Sequence, residues 1–144
     1  MTGDQLVGTW KVVTLKTTSG GKVSYPLGDR PEGFVSMTPT RLWLLFVDPA
    51  RKAPATPTLT DAEAVAAMKA HVGWTGKYII EDHPPEGLKL TARVDTASSH
   101  AITGNDRVYF MRLDGDRLTM KSPDTIVPMT GLSSVVEIEL VKAD

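Results

Sequence analysis

Leu6-Val7-Gly8-Thr9-Trp10-Lys11-Val12-Val13-Thr14-Leu15-Lys16 is the stretch whose reading decides the fold. Its residues alternate as those of a strand do, with Trp10, Val12 and Thr14 on one face and Lys11, Val13 and Leu15 on the other. A tryptophan this close to the N-terminus is a large apolar mass that has to be buried. Its indole N–H must still find an acceptor. Gly8 stands two residues earlier on the same face and leaves room for another segment to cross. Gly3-Asp4-Gln5 reads as a short turn that could plug one end of a barrel.

Short apolar alternations separated by turn residues follow, which is the pattern of an all-β sandwich or barrel. Strands are expected at 6–16, 33–38, 41–47, 74–82, 88–96, 106–113, 117–122 and 135–142. Val23 to Glu32 is a Pro/Gly-rich loop holding Tyr25 and Leu27, either folded over a barrel mouth or lying on the surface. Thr38-Pro39-Thr40-Arg41 joins two strands through a turn that suits proline. The strand Arg41 to Val47 is apolar on both faces, so a cover is expected on both. Thr60-Asp61-Ala62-Glu63 matches a capping box and starts the one helix, expected to run to about Val72 with Gly73 as its stop. Val65, Met68 and Val72 form its apolar stripe, facing the barrel wall or crossing the opening.

Leu88, Leu90, Ala92 and Val94 alternate with Lys89, Thr91, Arg93 and Asp95, which puts the aliphatic set inside. Asp114-Gly115-Asp116-Arg117 turns a hairpin, and either even-numbered loop puts Tyr109, Met111, Leu118 and Met120 on one face. The last strand turns Val136, Ile138 and Leu140 away from Glu137 and Glu139. Pairing it with the first strand would remove both sheet edges. The expectation is therefore an all-β, eight-stranded antiparallel up-and-down barrel with one short helix, in a single domain over residues 1–144.

Composition removes several function classes. At 144 residues the chain is long enough to bury roughly two-thirds of its unfolded surface. A net charge of −1 with scattered basic residues gives no clustered basic face for nucleic acid. The absence of cysteine excludes disulfides, thiolate metal sites and cysteine nucleophiles, and fits a reducing compartment. Met1-Thr2-Gly3-Asp4 has no basic or apolar leader character, and no apolar run approaches ~18 residues. The expected setting is cytoplasmic, without a membrane span.

Five motifs resemble, in order and spacing, the bacterial and fungal lipocalin-like domain family. They are Leu6-Val7-Gly8-Thr9-Trp10, Ser24-Tyr25-Pro26-Leu27-Gly28, Thr38-Pro39, Gly73-Trp74-Thr75-Gly76-Lys77-Tyr78 and Leu113-Asp114-Gly115-Asp116-Arg117-Leu118. The resemblance covers nearly the whole chain. It implies a calyx closed at the Trp10 end and open at the other. It also implies a hydrophobic cavity for a carried molecule or, in some relatives, a cyclase or isomerase reaction of the Diels–Alderase type in natural-product biosynthesis. The sequence departs from the family at Thr40-Arg41, in the lack of histidine on 88–96, and at the last strand, where Lys142 partly stands in for an arginine that packs on the first-strand tryptophan.

Catalytic and cofactor signatures are sparse. His71, His83 and His100 share no metal spacing, and the cluster Asp95, Ser98, Ser99 and His100 is loop proximity without an ordered triad. No Gly-x-Gly-x-x-Gly or P-loop occurs, so no cofactor is expected. What remains is the inward set: Trp10, Val12, Tyr78, Ile80, Leu90, Ala92, Tyr109, Met111, Leu118, Met120 and Ile138. Either these fill the barrel, or they wall a cavity with adaptable methionines and two phenols. Trp10, Tyr78, Leu90, Tyr109, Met111, Leu118 and Met120 are the ligand-binding candidates inside, and Tyr25, Trp43, Met68 and Trp74 those for the rim or lid. Tyr78 and Tyr109 are the candidate acids should a reaction occur. The expected partner is a small hydrophobic ligand, and Trp43 on its doubly apolar strand is equally a wall or homodimer contact.

Overall fold

The computed structural model describes residues 3–85, 87–126 and 132–143. The readings over Met1-Thr2 and at Glu86 lie outside the described residues. Ten strands form: β1 (Gly8–Ser19), β2 (Lys22–Ser24), β3 (Glu32–Met37), β4 (Arg41–Val47), β5 (His71–His83), β6 (Gly87–Ala97), β7 (Asp106–Asp114), β8 (Arg117–Lys121), β9 (Thr125–Ile126) and β10 (Ser133–Lys142). Eight of them pair antiparallel in the order β1-β3-β4-β5-β6-β7-β8-β10, and β10 returns to β1 to close the barrel. The short β2 and β9 are additions to this ring, each a hairpin on its neighbour at one end.

Trp10 is fully buried, and its indole N–H donates to the carbonyl of Leu6 at 2.9 Å. Leu6 ends a short 3-10 turn, Gly3–Leu6, that plugs this end of the barrel. Lys142 faces Trp10 across the β1–β10 seam. Its ammonium lies 4.6 Å from the indole centroid and donates to the Val7 carbonyl at 2.9 Å. The lysine thus takes the cation–π position over the tryptophan.

The interior alternation holds on β6, β8 and β10, where Leu88, Leu90, Ala92, Val94, Leu118, Met120, Ile138 and Leu140 are buried. On β1 it does not run as a simple alternation. Val12 pairs with Leu140 and Thr14 with Glu139, so Val13 is an extra residue. A bulge of this kind reverses the parity beyond it. Leu15 and Thr17 are therefore buried, and Thr14, expected inside, is only partly covered. A second bulge on β6 leaves Asp95 between the pairs Gly76–Val94 and Thr75–Thr96. The backbones approach so closely there that a Cβ on Gly76 would collide with the Arg93 carbonyl. Freed from the ladder, Asp95 grips Arg41 through two hydrogen bonds of 2.8 and 3.1 Å.

The capping box forms as read: Glu63 N–H donates to the Thr60 hydroxyl at 3.2 Å, and Thr60 N–H to the Glu63 carboxylate at 2.9 Å. The helix α1 (Asp61–Lys69) is shorter than expected and buries no side chain. His71 and Val72 belong to β5, because Val47 and Phe46 of β4 pair with them. Strand pairing has overridden helical spacing. The expected apolar stripe dissolves, and Val65 and Met68 stand exposed.

β3–β4 and β7–β8 are joined by tight turns at the Trp10 end, and β5–β6 also turns there. The long connections, at 48–70 and 98–105, lie at the opposite end. Leu113 pairs with Leu118, so the β7–β8 loop is Gly115-Asp116.

Two variants test this architecture in urea melts. Trp10→Ala should cost about 3–5 kcal/mol, the range for an aromatic lost from a packed core. Gly33 has φ +145°, and a Cβ there would collide with the Leu45 carbonyl. Gly33→Ala should therefore cost at least about 2 kcal/mol. A melt unchanged in either variant would contradict the packing described.

Candidate functional site

At the end away from Trp10 the strands leave a half-open apolar funnel. Leu15 and Ile138 face each other across the β1–β10 seam, and Leu44, Phe46, Val72 and Trp74 come from the paired strands β4 and β5. Tyr109 and Arg107 enter from β7 and Val136 from β10. Ile102, on the 3-10 turn His100–Ile102 between β6 and β7, is buried against them. The hollow left between these side chains is about 50 Å³. Pockets for drug-sized ligands run to roughly 300–1,000 Å³. Most of the barrel is thus filled by its own side chains, and the free space is a slot near the mouth.

The inward candidates separate by depth. Trp74 and Tyr109 line the funnel. Leu90, Met111, Leu118 and Met120 are buried in the barrel without bordering the hollow, and Trp10 belongs to the plugged end. Tyr78 is displaced from the expected cavity. It borders a groove with Gly3, Asp4, Val7 and Pro39 at the plugged end, and its hydroxyl donates to the Thr38 carbonyl. Burial and the nearby Asp4 carboxylate raise its pKa. The two phenols therefore do not share one cavity.

The other rim candidates lie apart from the funnel. Tyr25 points to solvent, and the loop is anchored by the fully buried Leu27. Met68 is 45% exposed on a helix that buries no side chain, and it does not border the funnel. Trp43 is 52% exposed on the outer wall, where the Arg41 guanidinium sits 5.8 Å from its ring centroid. The expected outer cover of β4 is missing among the described residues, and Phe34, Trp43 and Leu45 form an uncovered apolar patch.

Several lining residues escaped the sequence reading. Leu15 was hidden by the bulge at Val13, and Val72 by helical spacing. Arg107 was legible: it stands two residues before Tyr109, on the same strand face, in the alternation Arg107, Tyr109, Met111. Ile102 gave no periodic signal, because it sits on a loop turn.

Tyr109 is only 7% exposed, and burial raises its pKa, opposed by the Arg107 charge. No group among the described residues hydrogen-bonds its hydroxyl, and no fully buried side-chain polar atom among them lacks a partner. The hydroxyl therefore reaches open space, and the space Tyr109 borders includes the funnel. Arg107 donates to the Thr125 hydroxyl at 3.1 Å and pairs with no carboxylate among the described residues. Asp106 is held by Arg93 at 3.2 Å, and Asp95 by Arg41. No cluster of three metal-ligating side chains occurs among the described residues.

The raised Tyr109 pKa makes a pH prediction. Folding favours the neutral phenol, so its contribution is intact below the ordinary tyrosine value of 10.0 and is lost as pH rises through the folded value. Urea midpoints taken through that range should fall more steeply for the wild-type protein than for Tyr109→Phe. Equal slopes would show that the phenol is not held in an apolar setting.

No helix among the described residues is long and apolar enough to cross a membrane. No curated protein and no solved structure gives a significant match to the chain. The family model described as "Lipocalin-like domain" matches residues 7–141, the whole span from the strand that holds Trp10 to the strand that closes on it. The chain belongs to the lipocalin-like domain family.

Proposed function

We propose that the protein binds a small hydrophobic molecule in the funnel at the open end of its barrel, as a carrier or sensor. The observation that supports this is the wall itself: Leu15, Leu44, Phe46, Val72, Trp74 and Ile138 turn apolar surface toward a gap that solvent can reach. Apolar surface left at a concave opening gains free energy when a guest removes it from water, at roughly 25 cal/mol per Å². The hollow of about 50 Å³ is well below the roughly 150 Å³ that holds a benzene ring, so only the tip of a chain or ring enters it without side-chain movement. A longer guest requires Ile102 to swing outward with its loop. Cyclase or isomerase chemistry in the same funnel would have Tyr109 as its one phenol, since Tyr78 borders the plugged end.

Trp74 supplies the test. Titration with 1-hexanol should change tryptophan emission in the wild-type protein and in Trp43→Phe, and lose that response in Trp74→Phe. A response that survives Trp74→Phe, or no binding at all, would reject the funnel.

Self-association has one observation in its favour, the outer patch of Phe34, Trp43 and Leu45 on neighbouring strands. Light scattering across a concentration series should show a dimer that Trp43→Ser with Leu45→Ser abolishes. A strict monomer at all concentrations removes this reading.

A further inference from the structure

We propose that the funnel selects an apolar molecule that carries a carboxylate, with Arg107 and Tyr109 receiving the carboxylate at the mouth. This inference rests on the binding reading above and adds the chemistry of the head group.

Two observations carry it. The first is the Tyr109 hydroxyl. Buried tyrosines ordinarily give their O–H to a partner, and Tyr78 in the same barrel does so. Tyr109 has none among the described residues, although it is more than nine-tenths buried and borders the gap. Its oxygen reaches open space, so the O–H is free to donate to a guest's acceptor in the gap it borders. The second is Arg107, a guanidinium on the inner face of a barrel otherwise lined by hydrocarbon and aromatic rings. It is partly buried, and among the described residues its one hydrogen bond is to the Thr125 hydroxyl. Asp124 borders an outer groove with it but makes no ion pair. A guanidinium presents five N–H donors in a planar fork, so most of its donors remain for a ligand.

Arg107 and Tyr109 lie two residues apart on one strand, about 7 Å between Cα atoms, with both side chains on the inner face. Arg107 pairs with Ala92 and Tyr109 with Leu90 on β6. A carboxylate set between them accepts a hydrogen bond from the phenol and one or two from the guanidinium. The attached apolar body then lies toward Trp74, Phe46 and Ile138. A neutral alcohol can occupy the same hydrocarbon surface but leaves the guanidinium without its counter-charge.

The experiment compares hexanoate and 3-phenylpropanoate with their primary alcohols, by calorimetry on the full chain, in wild type, Arg107→Met and Tyr109→Phe. Expected are acids at least tenfold tighter than alcohols in wild type, a preference lost in Arg107→Met with alcohol binding retained, and a several-fold weaker acid in Tyr109→Phe. Added salt should weaken the acids and spare the alcohols. Retained alcohol binding also shows that the variant has folded. Acids and alcohols binding alike, or an acid preference that survives Arg107→Met, would overturn the carboxylate inference and leave the apolar funnel standing. Failure of all four probes to bind wild type would overturn both.

Discussion

The backbone ladder between the first and last strands is the constraint on which the rest of the molecule depends. Eight strands laid side by side would leave two unpaired edges, each a row of free N–H and C=O groups. The β1–β10 ladder removes both and fixes the circumference of the barrel. It also brings Lys142 over the first tryptophan. Lys142 binds the Val7 carbonyl and covers the indole, so chain closure and end closure are one event. The plug at Gly3–Leu6 completes that end by accepting the indole N–H.

Closure of one end determines where binding chemistry can be. Tight turns gather around Trp10, and the longer connections fall at the far end. Loops tolerate more varied shape than strand ladders and carry function for that reason. The funnel lies among them, with Ile102 supplied by a loop turn and the rest by strand ends. The middle of the barrel is packed by Met111, Met120, Leu90 and Leu118, which are buried and do not border the funnel. Depth of binding is therefore limited by side-chain volume, while the mouth can adjust.

The two bulges show how small backbone irregularities assign chemistry. The extra residue at Val13 swaps Leu15 into the barrel, where it meets Ile138. The extra residue at Asp95 commits its carboxylate to Arg41 on the exposed side of the strand. Without the first bulge the funnel would lose part of its apolar wall. The second commits the acid nearest the serine–histidine loop to an ion pair on the outside of the barrel.

Alternation alone determined a good deal of this protein. Strands such as Arg41–Val47 and the inward set on β6, β8 and β10 follow from a period of two, which local chain geometry enforces. The capping box at Thr60 was equally local, a matter of one hydroxyl and one carboxylate three residues apart. Tertiary structure decided what depends on a partner strand or on depth. Pairing with β4 converted His71 and Val72 from helix to strand. Bulges reversed faces because register is a property of two strands together. The separation of Tyr78 from Tyr109, and the placing of Arg107 beside the latter at the one open end, arose because strand order around a closed ring sets which inward residues meet. A one-dimensional pattern gives direction, in or out, but not height along the barrel axis, and height is what distinguishes a plug from a binding site.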